Sequence, residues 1–481
     1  MGALDGLEPR EVFEWFARIC AIPHGSGNTR QISDFLAEFA RERGLEYMQD
    51  ALNNVIIIRE ASPGYEAAEP VILQGHMDMV CEAAPDCARD MATQGLELAV
   101  EGDTVFARGT TLGGDDGIAV AMMLAVLSGA LPHPRVEAVF TVDEEIGMLG
   151  AQGIDLHMLR GRRMINIDSE EEGVFTAGCA GGRSVRCILP ITRAAARGTL
   201  LTIEVGGLKG GHSGTEIHRG RANAVRLLGR TLSTLEQERG TALRICSVFG
   251  GKKDNAIPNC AEAVTVVADT QMAERVCADM TAAFRAEFAG VDNGVFVRCA
   301  PYAGEALLPM DAASTARVVA LLMCAPGGVQ AMSGEIPGLV LTSLNLGILE
   351  TTAAEVSAIF CVRSGLESGK ALLTDGLERL TALLGGRTEI SGDYPGWAYR
   401  SDSPLRTLLA AVFQEQCGHA PRVEAIHAGV ECGLFAGKLP GLDCVSIGPD
   451  LTDIHTARER MHIASVGRTW ALLCETLRRM R

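Results

Sequence analysis

The stretch Val71-Ile72-Leu73-Gln74-Gly75-His76-Met77-Asp78 opens with the apolar run of a buried strand and ends in a histidine and an aspartate two residues apart. Side chains alternate along an extended segment, so His76 and Asp78 share one face. The same pattern recurs downstream. Thr110-Thr111-Leu112-Gly113-Gly114 leads to Asp115-Asp116-Gly117 ahead of a helix-like stretch from Gly117 to Leu127. Val136 to Val142 leads to Asp143-Glu144-Glu145, and Met164 to Ile167 leads to Asp168-Ser169-Glu170. With Val55-Ile56-Ile57-Ile58 upstream, strands alternate with helices as in a wound α/β sheet. Ligand sites in such sheets form beyond the carboxyl ends of the strands, which predicts that these acidic endings meet in one crevice.

Outward from this core, Val12, Phe13, Phe16, Ile19 and Cys20, then Ile32, Phe35, Leu36 and Phe39, are spaced for two amphipathic helices broken at Pro23-His24-Gly25-Ser26-Gly27. Around Gly178-Cys179-Ala180-Gly181-Gly182 the pattern changes to alternating runs, Ser184 to Leu189 and Leu201 to Val205, expected of half-exposed antiparallel strands. The turn-rich Tyr394-Pro395-Gly396-Trp397 precedes a return to helix-like and strand-like runs. The expected architecture is an α/β domain over residues 1–185 and 396–481, with a wound mixed sheet, interrupted by an inserted α+β domain over 186–395. The longest apolar stretch, Gly117 to Leu131, is too short and too interrupted for a membrane span and reads as a buried helix.

Composition narrows the functional classes. At roughly 150 residues per domain, 481 residues suggest about three units or two larger ones, and an apolar content of 47% excludes a largely disordered chain. Asp and Glu number 60 against 43 Lys and Arg, and the resulting charge of −17 repels phosphate backbones and anionic lipid. Nucleic acid and membrane are therefore excluded as expected partners. Fifteen cysteines, an odd count with no C-x-x-C, read as scattered reduced core thiols of a cytosolic protein. The stretch Met1-Gly2-Ala3-Leu4-Asp5 lacks a basic region followed by an apolar one, and Gly6 stands where a myristoylation signal needs Ser or Thr. A cytoplasmic location is expected.

Taken singly, the endings are ambiguous. A lone His-x-Asp is as compatible with an ordinary loop, and Asp115 or Asp116 before a helix with an N-cap. Four in succession are not commonplace. Bringing Asp115, Glu144, Glu145 and Asp168 together disfavours their joint ionisation unless protons or cations sit among them. Carboxylates with imidazole and no cysteine pair suit catalytic zinc, although manganese or cobalt accept similar ligands. H-E-x-x-H is absent, which excludes the helix-borne single-zinc proteases. A second imidazole is needed. His133, His157 and His419 lie beside turn or polar residues and read as surface groups. His455, in Asp453-Ile454-His455-Thr456-Ala457-Arg458-Glu459 after the strand-like Val445-Ser446-Ile447, is the candidate.

Several stretches together resemble the aminoacyl-histidine dipeptidases, also called Xaa-His or β-alanyl-histidine dipeptidases, a branch of the di-zinc aminoacylase and carboxypeptidase superfamily. They are Leu73 to Val80, Gly109 to Gly117, Thr141 to Glu145 and Ile167 to Gly173, with Gly178 to Gly182, Gly210-Gly211-His212-Ser213-Gly214, Tyr394 to Trp397 and Ala428-Gly429-Val430-Glu431-Cys432-Gly433 extending the match over nearly the whole chain.

The resemblance implies that Asp115 bridges two zinc ions, with His76 and Asp168 completing one site and Glu145 and His455 the other. It implies Glu144 as general base, Asp78 as the carboxylate orienting His76, and His212 as a lid histidine that stabilises the oxyanion. Asn255, Arg363 and Gly429 match substrate-contacting positions, and the inserted region matches a lid domain used for homodimerisation. The reaction implied is hydrolysis of dipeptides, β-alanyl-histidine among them. An N-acyl-amino-acid amidohydrolase, a broad aminopeptidase or a catalytically silent metal-holding protein are the alternatives. Two departures stand out. Asp116 replaces a common Asn, and His455 is followed by Thr-Ala-Arg-Glu where the family usually has Ser or Thr, Pro, then acidic residues.

Overall fold

The computed structural model describes residues 2–481 apart from 239 and 306, so Met1 of the N-terminal stretch read above lies outside the described residues. The chain divides into two compact units. The first is Met1–Gly178, Trp397–Ala425 and Val430–Arg481; the second is Cys179–Gly396 and Ile426–Gly429. The changes of pattern near Gly178 and at Tyr394 to Trp397 lie beside these divisions. The short return at Ile426–Gly429 carries no compositional signal.

The first unit is built on an eight-stranded mixed sheet, ordered Glu46–Gln49, Val55–Arg59, Val136–Thr141, Val71–His76, Arg163–Asn166, Asp443–Ser446, Val174–Cys179, Arg422–Ile426. The four strands from Val136–Thr141 to Asp443–Ser446 run parallel, and the flanking pairs are antiparallel. Parallel strands covered on both faces should be apolar throughout. Val71–His76 and Val136–Thr141 are indeed buried at every position.

The two N-terminal helices expected from the spacing are Arg10–Cys20 and Arg30–Glu42; Val12, Phe13, Phe16, Ile19 and Cys20 of the first and Ile32, Leu36 and Phe39 of the second are buried, while Phe35 is half-buried. The apolar stretch after Asp116 lies in the helix Gly114–Ser128, buried from Gly117 to Leu127. Each large side chain withdrawn from water there contributes about 1.5–3 kcal/mol before entropy is counted. Among the described residues no helix is long and apolar enough to cross a membrane.

The second unit holds a nine-stranded sheet whose pairings are antiparallel. Its strands Gly181–Pro190 and Thr199–Gly206 contain the alternating runs seen in the sequence. Helices Ala224–Gln237, Thr270–Glu287, Ala312–Cys324 and Glu367–Leu383 belong to the same α+β unit. Cys20, Cys277 and Cys432 are buried and in no disulfide. His133 corrects the sequence reading. It is 1% exposed, because Ser62 exchanges hydrogen bonds with its main chain and folds the neighbouring loop over it.

Candidate metal centre

In the first unit, the parallel strands Val71–His76, Val136–Thr141 and Arg163–Asn166 all end at the same edge, in register His76 with Thr141 and Gln74 with Asn166. Their carboxyl ends deliver His76, the turn Asp143 to Glu145, and Asp168. Gly75 is required for the next contribution, since a Cβ there would meet the Asp116 carboxylate and, at 2.7 Å, Ala119. Through that gap the Asp115-Asp116 loop approaches the strand, turned by Gly113 in the left-handed region (φ 66°).

Asp115 and Asp116 part company here. Asp116 is buried and accepts the main-chain N–H of His76 at 3.1 Å. Asp115 instead presents its two oxygens to two imidazoles, Oδ1 at 3.1 Å from His76 Nε2 and Oδ2 at 3.1 Å from His455 Nε2. Asp168 Oδ1 lies 3.6 Å from the same His76 nitrogen. Glu145 Oε1 comes within 2.8 Å of His455 Nε2, yet this buried oxygen has no hydrogen bond aligned with it. A buried oxygen left without a hydrogen bond beside an imidazole fits a place where both would direct lone pairs at a cation.

Among the described residues, three sets have ligand atoms within 4.8 Å of one another: His76, Asp115 and Asp168; Asp115, Glu145 and His455; and His76, Glu144 and Glu145. Oxygen and imidazole donors in this number fit a divalent transition ion such as zinc. With Ala457 where the resemblance implies proline, His455 Nε2 still lies 3.1 Å from Asp115 Oδ2.

The electrostatics have the character the sequence predicts. Burial, followed by the charges of Asp168, Glu431 and Glu145, pushes Glu144 up to about 9. Burial likewise raises Asp168 to about 6 despite its contact with His76. His455 is held up at about 10 by the carboxylates of Asp115 and then Glu145. For His76, burial works against protonation but loses to Asp115, Asp168 and Asp78, which keep it well above its ordinary value. Carboxylates crowded to this degree are stabilised by positive charge among them.

Supporting groups complete the edge. Asp78 accepts Ser26 Oγ–H at 2.8 Å and the main-chain N–H of Glu144 at 3.2 Å, so its carboxylate also fixes the turn carrying Glu144. Glu431, fully buried, accepts Gln74 Nε2–H and Thr141 Oγ–H, each at 2.6 Å, while Asn166 donates to Gln74 at 2.6 Å. Ser26, Glu431 and Glu459 were given no role by sequence reasoning. A signal existed for the network, because Gln74, Thr141 and Asn166 are polar residues that each follow an apolar residue near the end of a strand, and buried polar groups need partners.

Four candidates lie in the second unit. His212 begins the short turn after Gly211, and its Nδ1 receives the main-chain N–H of Gly214 at 3.3 Å and of Thr215 at 3.1 Å. A nitrogen that accepts two N–H groups is unprotonated, which places the ring proton on Nε2. Burial and the charge of Arg363 keep the ring below its usual value and neutral. Arg363, in the strand Glu355–Ser364, donates from Nη1 to Tyr394 Oη at 3.0 Å. Gly429 sits where a Cβ would come within 2.7 Å of the Tyr394 ring. The main-chain carbonyl of Asn255 accepts the N–H of Ser213 at 2.8 Å, joining it to the His212 turn.

Comparison with known proteins agrees with the motif resemblance. The chain is 37% identical over 483 residues to the cytosol non-specific dipeptidase of Escherichia coli (strain K12), covering 99% of each. The crystal structure of aminoacylhistidine dipeptidase from Vibrio alginolyticus matches with a TM-score of 0.92 at 34% identity, over 98% of both chains. An aminopeptidase from Bacillus cereus ATCC 10987, at 14% identity and a TM-score of 0.56 over 98% of this chain and 99% of that one, shares the fold. Residues 72–479 match the family described as peptidase family M20/M25/M40, and the chain belongs to that family.

Proposed function

We propose that this peptide-bond hydrolase is a cytoplasmic dipeptidase that works with two divalent metal ions, zinc first among them and manganese or cobalt as substitutes. The observation that carries the reading is the divergence of the two Asp115 oxygens toward different imidazoles. On this reading His76, Asp168 and Asp115 would hold one ion, and Asp115, Glu145 and His455 would hold the other. Such ions, when bound, polarise a carbonyl and bring the pKa of a water from its bulk value to about 7.

The remaining work falls to the chain. Glu144 takes the proton of the attacking water on its carboxylate and delivers it to the leaving amine, a base that then serves as acid. Its burial and its hold through Asp78 suit a group that must keep a proton between two steps. His212, neutral with its proton on Nε2, can donate to the oxygen on which negative charge develops. Arg363 offers a planar fork of donors to the C-terminal carboxylate of the substrate. Asn255 and Gly429 are assigned to the same substrate contacts. Residues 186–395 take the role of a lid that also forms a homodimer. Dipeptides of the Xaa-His type, β-alanyl-histidine included, are the proposed substrates, and the names of the Escherichia coli and Vibrio relatives support both the substrate class and the cytosolic location.

Metal analysis of the purified protein, coupled to a cleavage screen of dipeptides, tripeptides and N-acyl amino acids, tests this. Two ions per chain and preferential cleavage of dipeptides are expected. Preference for N-acyl amino acids would move the assignment to an amidohydrolase, and a metal-loaded protein that cleaves none of them would overturn it.

A further inference from the structure

We propose that Glu459 is a positioning residue, which clamps the Asp115 loop to the His455 loop and so sets the geometry in which those two side chains can share a cation. The inference rests on the metal reading above and assigns a group that reading does not use.

Glu459 is 2% exposed, and its carboxylate accepts four successive main-chain N–H groups. Oε2 receives Leu112 at 2.7 Å and Gly113 at 3.1 Å; Oε1 receives Gly114 at 2.8 Å and Asp115 at 3.4 Å. The left-handed Gly113 turns these groups into one concavity, the kind of nest that binds anions, ahead of the regular helix that begins after the non-helical Asp115 and Asp116. Here the anion comes from the chain itself, more than 340 residues further on. The last of the four donors belongs to Asp115, the residue whose oxygens face both imidazoles.

The other end of the clamp is equally direct. Glu459 lies four residues after His455, in the loop between the strands Leu451–Thr452 and Arg460–His462. That loop is internally braced. Thr456 donates to the Asp453 carbonyl at 2.8 Å and accepts the N–H of Arg458 at 3.1 Å, while Glu459 N–H donates to the Thr456 carbonyl at 3.1 Å. His455 itself has φ of 58° and a half-exposed side chain. A ligand this open to solvent is not fixed by packing. Glu459 joins its loop to the Asp115 main chain and so sets the separation of His455 from Asp115.

Two variants break the clamp differently. Glu459→Gln keeps the volume but replaces one acceptor oxygen with an NH2 that faces N–H donors. Gly114→Ala keeps the carboxylate, and its Cβ would stand 3.1 Å from Glu459 Oε1 and 3.2 Å from Leu451, pushing the nest away. Zinc affinity is read by stepwise competition with a chromophoric chelator, and folding by circular dichroism of the metal-free protein. His455→Ala marks which dissociation constant depends on His455. The expected result is that both variants stay folded without metal and weaken that same constant by about 10- to 100-fold. Constants within about twofold of wild type in a folded variant, or loss of the metal-free fold in both, would overturn the proposal, since Glu459 would then only hold the core together. A wild-type protein that takes up no zinc would instead overturn the metal reading itself.

Discussion

His76 Nδ1 lies 2.9 Å from the main-chain carbonyl of Asp78 and 3.4 Å from that residue's carboxylate. The imidazole is therefore oriented first by a group that no substitution at position 78 removes. The Asp78 carboxylate is occupied by Ser26 and by the main chain of Glu144. For Asp78→Ala we expect zinc affinity to fall by about tenfold, the lower end for loss of a partner behind a ligand. Turnover should fall further, because the turn carrying Glu144 is released. Chelator competition and steady-state kinetics on one preparation check this, and abolished metal binding would show that the carboxylate orients His76.

Glu144 belongs to a metal-sized group only together with His76 and Glu145, whereas the two groups containing Asp115 are complete without it. Glu144→Gln should keep two ions per chain while kcat drops by about 10²- to 10⁴-fold, the usual contribution of a general base. Metal content and turnover measured together decide the point. Near-normal turnover in the metal-loaded variant would refute the base assignment.

The strand endings were legible in sequence because a buried parallel strand leaves a simple trace, an apolar run that stops abruptly at polar residues. His76, Glu145 and Asp168 follow such strands, whereas Asp115 lies at the end of an irregular segment rather than of a strand. The choice between Asp115 and Asp116 could not be read, since it depends on which carboxylate the loop turns toward the His76 main chain. Glu459 was equally hidden. Its partners are backbone N–H groups, which every residue carries and no pattern advertises. His133 misled because neighbours in sequence suggest a turn, and only the distant Ser62 reveals that the turn is covered.

The ring of Tyr394 is held between two glycines. A Cβ at Gly182 would come within 2.6 Å of its hydroxyl oxygen, and one at Gly429 within 2.7 Å of a ring carbon. The hydroxyl so placed accepts from the buried Arg363. Tyr394→Phe keeps the ring and removes the acceptor, worth about 1 kcal/mol. If Arg363 binds the substrate carboxylate, KM should rise by about fivefold with kcat nearly unchanged. Gly429→Ala should act in the same direction. An unaltered KM in Tyr394→Phe would show that the pairing serves the fold alone.

His427 gives a pH dependence whose sign can be worked out. It is buried with Nε2 2.7 Å from Ser343 Oγ, and burial, followed by the charge of Arg363, pushes it down to about 3. An unfolded histidine titrates near pH 6.5. Between these values the unfolded chain binds the extra proton, so the contribution to stability is complete above about pH 6.5 and is lost as pH falls toward 3. The slope for one such group approaches 1.4 kcal/mol per pH unit, or about 1–2 kcal/mol between pH 6.5 and 5. His427→Gln can still bond to Ser343 but has no proton to gain. Urea unfolding at about pH 7.5 and about pH 5 should therefore show wild type losing more stability than the variant by that amount. Equal losses in the two proteins would mean that His427 is charged in the folded state.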